Sequence, residues 1–216
     1  MGKHKKIFAS AILVILGLFW LLSYLYQQNK SDKIQHIVFQ DSGALIRDYS
    51  PSIGSPLLRV TLVEFLDPEC ESCSLFHPVV KKTLKQNEGR LRYVVRYAPF
   101  HPNSKFVVSV LEAARLQNKY WEALDLFFEK LPEWGDHNNP RPDLIWTYVK
   151  ELGLDVEKIK QDSSNKKIAD IIEQEIKDGI KLGIRQTPTF FINGMPVEMN
   201  SPDDLVGQIE TALSAR

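Results

Sequence analysis

The chain has 216 residues, 44% of them hydrophobic, with 27 basic and 27 acidic side chains. That is enough apolar material for one packed domain carrying an insertion, and the balanced charge gives no basic footprint for nucleic acid. The balance is uneven, however. Lys3, Lys5, Lys6 and Lys30 are the only ionised side chains in residues 1–30, which leaves 23 basic against 27 acidic groups in residues 31–216, a net of −4.

Residues 1–6 form a basic tail, and Ile7–Tyr26 follows with no charge over twenty residues. A helix of that length rises about 30 Å, the thickness of a bilayer's hydrocarbon core. Trp20, Tyr24 and Tyr26 fall at its far end, where amphipathic rings favour the interface. The lysines predict a cytoplasmic N-terminus, with the rest of the chain outside the inner membrane. A cleaved signal peptide is the alternative, but its exit would carry small residues where this chain reads LSYLYQQ. Either way, residues 44–216 are expected in an oxidising compartment such as the periplasm.

Residues 27–43 read as a linker, opening with the polar tether QQNKSDK. Ile37–Gln40 and Ala44–Asp48 are short strand candidates, and SPSIGSP a turn-rich loop. Arg59–Leu66 is β-branched and mostly apolar, as a buried strand is. Ser74–Asn87 reads as a helix and Leu91–Ala98 as a second core strand. Helical patterns then run over Ser104–Asn118, Tyr120–Leu131, Arg141–Leu152, Val156–Gln161 and Lys166–Leu182. Thr189–Ile192, an Asn193-Gly194 turn and Pro196–Met199 predict a hairpin. The last helix is signed by Ser201 as N-cap, Pro202 behind it, and Asp203 and Asp204 in its first turn. A βαβ half and a ββα half therefore flank a helical block at about 103–183. The expected fold class is α/β, thioredoxin-like with an inserted helical domain, behind one N-terminal transmembrane helix.

The only cysteines, Cys70 and Cys73, stand in Cys-x-x-Cys spacing between the first core strand and the following helix. As a structural staple they would constrain little, since so short a loop gains only about 2 kcal/mol of chain entropy. As a metal clamp they lack the second pair that structural zinc wants; His77, and His101 if it approached in space, would leave an open zinc or copper site. As a redox pair their placement has a reason. A helix mouth offers unpaired N–H groups and a positive dipole end, both of which stabilise a thiolate. Cys70 would then be the exposed nucleophile and Cys73, one turn in, the shielded resolving thiol. Glu64 lies in the middle of the preceding strand, where both faces look apolar. Buried there, its carboxyl would have a raised pKa and could exchange a proton with Cys73. Thr187-Pro188, just before the hairpin, offers a proline that can be cis and backbone edges for an extended substrate.

These motifs, VEFLDPECESC, FHP, RYAPFHPNS, AARLQNKYWEALDLFF and GIRQTPTFFINGMPV, resemble the DsbA-like thioredoxin-fold thiol:disulfide oxidoreductases of bacteria, in their membrane-tethered form. The resemblance runs from about Ala44 to the C-terminus. It implies that Cys70 and Cys73 are the catalytic pair, Thr187-Pro188 the cis-proline dipeptide, Glu64 the buried acid, and Pro78 the proline that kinks the active-site helix. One departure stands out. Strong oxidants of the family often carry Pro-His between the cysteines; this chain has Glu71-Ser72, with Asp67 and Glu69 just before. If exposed, these acids weaken the thiolate only slightly. Cys70 is therefore expected to ionise below a free thiol but to be less depressed than beside Pro-His.

The resulting expectation is an anchored, extracytoplasmic oxidase that accepts electrons from cysteines of exported proteins. A membrane or soluble partner would reset its disulfide, because no third cysteine and no flavin or nicotinamide motif is present. No cofactor and no metal is expected. A reductase or isomerase of the same fold, a thiol-based copper or zinc binder, and a tethered adaptor are the alternatives.

Overall fold

The computed structural model describes the backbone of residues 2–199 and 201–215, and within residues 1–42 the side chains of 8, 12–26, 28, 29, 32, 34, 36, 37 and 41. The elements are α1 (Gly2–Gln40), α2 (Ser42–Leu45), β1 (Ser52–Ile53), β2 (Val60–Leu66), α3 (Glu71–Gln86) and β3 (Leu91–Tyr97). The helical block follows: α4 (Ser104–Leu116), α5 (Tyr120–Glu129), α6 (Leu131–Trp134), a 3-10 turn at Pro142–Leu144, α7 (Ile145–Glu151), α8 (Val156–Ser163) and α9 (Lys166–Lys181). Then come β4 (Thr189–Ile192), β5 (Met195–Pro196) and α10 (Pro202–Ser214).

The five strands lie in the order β1-β3-β2-β4-β5, with β2 and β3 parallel and the other pairs antiparallel. Period-2 alternation of β2 divides the core. Leu62 and Leu66 join Tyr93, Val95, Phe190 and Ile192 under α3, α10 and the helical block. Val63 and Phe65 join Val94, Phe191, Leu182 and Ile184 on the opposite face. Phe190 and Phe191, adjacent and fully buried, point to opposite faces, and each contributes about 1.5–3 kcal/mol by leaving water. Asn193 and Gly194 both take positive φ in the hairpin turn, as a two-residue turn requires. The Ser201 hydroxyl accepts from the Asp204 N–H, capping α10 as expected.

The two early strand expectations fail. Ile37–Gln40 belongs to α1, and Ala44–Asp48 begins in α2. Ile34 and Ile37, three residues apart, both turn toward the second core face, which is helical spacing. Ala44 and Leu45 are neighbours and both buried, which strand alternation against one core does not allow. The Ala44 carbonyl is taken by Arg96 Nη1 at 2.7 Å rather than by a strand. The edge strand instead comes from within SPSIGSP: Ser52 and Ile53 pair with Val94 and Tyr93, helped by the Val95 N–H donating to Pro51 O at 2.9 Å.

Among the described residues no helix is long and apolar enough to cross a membrane. In the stretch expected to span, Ile7–Tyr26, the side chains of 7 and 9–11 lie outside the described residues. Its large apolar side chains from Ile12 to Tyr26 are exposed.

Candidate active site

Strand β2 ends at Leu66, and Asp67–Glu69 carries the chain to the mouth of α3. Cys70 is the N-cap of that helix, with extended backbone and no side-chain cap. Cys73 lies one turn in and is fully buried. Both thiols are free. Cys70 Sγ donates to the Thr187 carbonyl at 3.4 Å, and the Thr187–Pro188 peptide bond is cis. The Asp67 N–H donates to Cys73 Sγ at 3.5 Å. Cys70, Cys73, Thr187 and Pro188, far apart in sequence, are therefore gathered at one helix end.

Cys70 is only 7% exposed, not the openly exposed thiol expected. The two sulfurs are pushed in opposite directions. Cys70 falls to about 5, first because the Cys73 thiol donates to it, then through the Thr187 side chain and the backbone N–H groups of Cys73 and Ser72; burial opposes this. Cys73 rises well above the usual thiol value, chiefly through burial, then the bond to Cys70 and the charge of Glu64. The helix mouth contributes as expected, but the neighbouring thiol contributes more.

Glu64 sits in the central strand with Val95 and Phe190 as its register partners and is 1% exposed. Burial raises its carboxyl to about 8, against a hydrogen bond donated by Tyr93 Oη, while the charge of Cys70 adds to the rise. A buried acid that holds its proton near neutrality thus lies behind the more basic thiol.

The other acids depart from expectation. Asp67 and Glu69 are buried, not solvated. Asp67 Oδ2 accepts from the Phe100 N–H at 2.7 Å, the His101 N–H at 3.1 Å and His101 Nδ1 at 2.8 Å. Its Oδ1 accepts from the Glu69 N–H at 2.9 Å and from the Ser104 hydroxyl. Glu69 accepts from the Asn103 N–H and Nδ2, each at 2.7 Å. The acids clamp the cysteine loop to the β3–α4 connection instead of facing the sulfur. His101 is carried to the site by this clamp. Its pKa is raised: burial lowers it most, but the Asp67 hydrogen bond and charge, then the charges of Cys70 and Glu69, prevail. Sequence reasoning missed the clamp, although acids flanking the cysteines and a His-Pro-Asn-Ser run after the next strand were its signal.

Glu71 and Ser72 are exposed on the first turn, the Glu71 side chain 76% so. Pro78 lies inside α3, leaving the Ser74 carbonyl without its helical donor. His77 is buried, with Nε2 2.7 Å from Asp125 Oδ1 and its ring against Phe128. Among the described residues no three Cys, His, Asp or Glu side chains are gathered to hold a metal ion.

The Thioredoxin_4 family model, described as thioredoxin, matches residues 47–211. The fold is similar to that of a thioredoxin-like oxidoreductase from Silicibacter pomeroyi DSS-3, at 25% identity over 81% of this chain and 98% of that one, with a TM-score of 0.67. It is also similar to the thiol-disulfide exchange protein alpha-DsbA2 from Wolbachia pipientis, at 20% identity, 85% and 97% coverage, and a TM-score of 0.72. BdbD from Bacillus subtilis matches at 22% identity, 77% and 94% coverage, and a TM-score of 0.67. Among curated relatives, the Na(+)/H(+) antiporter NhaA of Herminiimonas arsenicoxydans is 36% identical over 138 residues, which is 63% of this chain. The chain spans 21% of that relative's length, and the match covers only the thioredoxin-like part.

Proposed function

Because the chain belongs to the thioredoxin family, we propose that it is a thiol:disulfide oxidoreductase, with Cys70 as nucleophile and leaving group and Cys73 as resolving thiol. One observation carries this reading: within a single helical turn, Cys70 caps α3 against the cis Thr187–Pro188 segment and Cys73 lies fully buried behind it, so one sulfur is held toward thiolate and the other toward thiol. Such a pair has a stable half and a reactive half.

The direction we infer is oxidation of substrate. A substrate thiolate attacks Cys70 Sγ of the disulfide. The Cys70–Cys73 bond breaks, and its electron pair leaves on Cys73, which takes a proton from Glu64. A second substrate thiolate then attacks the substrate sulfur of the mixed disulfide and expels Cys70 as thiolate. Two substrate thiols become one disulfide, and the protein is left as a dithiol that an oxidising partner must reset. A stabilised Cys70 thiolate favours this direction. Thr187 and Pro188, beside Cys70, would pair with the extended backbone of the substrate.

The substrates in this reading are cysteine-containing exported proteins. The twenty uncharged residues Ile7–Tyr26 behind a basic tail support a single anchor, with residues 1–6 cytoplasmic, 27–43 as linker and 44–216 outside the inner membrane. Protease added to spheroplasts should degrade residues 44–216; full protection would remove the anchored, extracytoplasmic arrangement.

The deciding measurement is the reduction potential of the Cys70/Cys73 couple in glutathione buffers. A value toward the DsbA end of the range, about −120 mV, supports oxidation, whereas one near thioredoxin, about −270 mV, supports the reductase alternative. A Cys70→Ser variant that retained exchange would reject the assignment of the nucleophile.

A further inference from the structure

Alongside the first two turns of α3 runs a groove of about 660 Å³, walled on its other side by α6 and the turn that follows. Leu75 and Pro78 of α3 face Pro132 across it, and Glu71, Asp136 and His137 lie at its rim. Leu75 is 64% exposed, a large apolar side chain left in water on the helix that bears the cysteines. The two carboxylates have little to neutralise them. Glu71 Oε1 is 3.9 Å from His137 Nε2, a marginal contact with both side chains more than half exposed. Asp136 Oδ1 accepts the Asn138 N–H of its own turn, at 2.8 Å. The groove also begins one residue from the reactive cysteine, at Glu71. The His137 ring lies tilted against that of His101, with centroids 5.5 Å apart; His101 hangs on Asp67 three residues before Cys70, and Glu71 follows Cys70 directly.

We propose that this groove is a specificity surface that takes the residues flanking the reactive cysteine of a substrate, and that it selects segments carrying an aliphatic residue and a lysine or arginine there. The inference rests on the oxidoreductase reading and names its substrate class. Charge complementarity sets the sign, because two carboxylate side chains, Glu71 and Asp136, line the groove. Spacing sets the register. Leu75 lies five residues beyond Cys70, about 7.5 Å along the helix and about 140° around it, a separation that an extended chain covers in about two to three residues. A cysteine bonded to Cys70 therefore brings its second or third neighbour to Leu75, and a long basic side chain beside that neighbour reaches the acidic rim. The covalent step is that of the mixed disulfide: the peptide sulfur bonds to Cys70 Sγ, the Cys70–Cys73 bond breaks, and Cys73 leaves with the electron pair and is protonated.

The test uses the oxidised full chain and three synthetic peptides with one central cysteine. The first carries leucine two positions and lysine three positions away on both sides. The second replaces the lysines with glutamate, and the third replaces the leucines with serine. Rates of mixed-disulfide formation at pH 7.5 are divided by each protein's own rate with dithiothreitol, a neutral thiol, so that changes in intrinsic reactivity cancel. The first peptide is expected to react about threefold or more faster than each of the others. Glu71→Gln should cut the lysine-over-glutamate preference to less than half, and Leu75→Ser should do the same to the leucine-over-serine preference. A wild-type preference below about threefold in either comparison overturns the proposal, as does a preference that survives its matching substitution. Failure of the underlying reading looks different: the protein would then exchange with neither dithiothreitol nor any peptide.

Discussion

His101 Nδ1 lies 2.8 Å from Asp67 Oδ2, so a histidine from the β3–α4 connection stands near a cysteine pair that has none between its members. Asp67, Glu69 and Cys70 face it with negative charge, and the His137 ring packs beside it. Since the Cys70 charge raises the His101 pKa, the imidazolium must favour the Cys70 thiolate in return. Its folded pKa lies above the unfolded value, so its contribution is complete below about 6.5 and is lost as pH rises through the folded value. His101→Gln is expected to raise the Cys70 titration midpoint and shift the glutathione equilibrium about threefold to tenfold toward the disulfide at about pH 6. The shift should fade in alkali. An unchanged midpoint would show that the imidazole acts only as a clamp.

Glu64 gives a pH dependence of the same sign over a different window. Burial lifts its pKa from 4.5 to about 8, so across that window the folded state holds a proton that the unfolded state has lost. Stability should fall as pH rises through the window, by at most about 1.4 kcal/mol per unit from this group. Glu64→Gln keeps an acceptor for Tyr93 and removes the slope. Urea unfolding of the variant and the parent should diverge in the variant's favour from about pH 5 to pH 8 and run parallel above it. Curves that stay parallel throughout would mean that Glu64 is not held protonated.

The parts of the fold legible in sequence are those encoded locally. Alternation along Val60–Leu66 sends Glu64 inward with Leu62 and Leu66, and the Ser201 cap, the Asn193-Gly194 turn and the helix after Cys70 each follow from a few adjacent residues. What stayed hidden depends on partners far away. Ala44 is buried because Arg96, 52 residues on, takes its carbonyl. Asp67 and Glu69 look like surface acids until the connection after β3 brings Phe100, His101, Asn103 and Ser104 against them. Ile37 looks β-like in a short window, and only the second core cluster, which it shares with Ile34, shows the helical period.

Arg96 is the centre of a second buried cluster. Fully enclosed, it holds Glu175 through Nε at 2.9 Å and Asp178 through Nη2 at 2.7 Å, and Asp178 also takes Arg47 at 2.6 Å. These bonds tie β3, α9 and the segment that follows α2 together. Removing the cation leaves two buried carboxylates with too few partners, which typically costs about 3–5 kcal/mol. Arg96→Met should therefore lose on that order in urea unfolding, and Arg47→Ala distinctly less, because Arg47 is partly exposed. Equal losses from the two would contradict the burial assigned here.

The two thiols should separate cleanly under alkylation. Cys70 is 7% exposed and held near 5, whereas Cys73 has no exposed surface and is raised well above the usual thiol value. Reactivity follows thiolate fraction and access, and both favour Cys70. At about pH 6 iodoacetamide is expected to modify Cys70 at least about tenfold faster than Cys73, a difference that should vanish in denaturant. The ultraviolet absorbance of the thiolate should rise with a midpoint near 5 in the folded dithiol and near the free-thiol value of about 8.5 after unfolding. Cys73→Ala tests the cause: it removes the leading hydrogen bond to the Cys70 sulfur but keeps the helix mouth, so the midpoint should move up without reaching the free-thiol value of about 8.5. A midpoint unmoved by that substitution would assign the whole depression to the helix end and Thr187, and a midpoint at the free-thiol value would assign none of it to them.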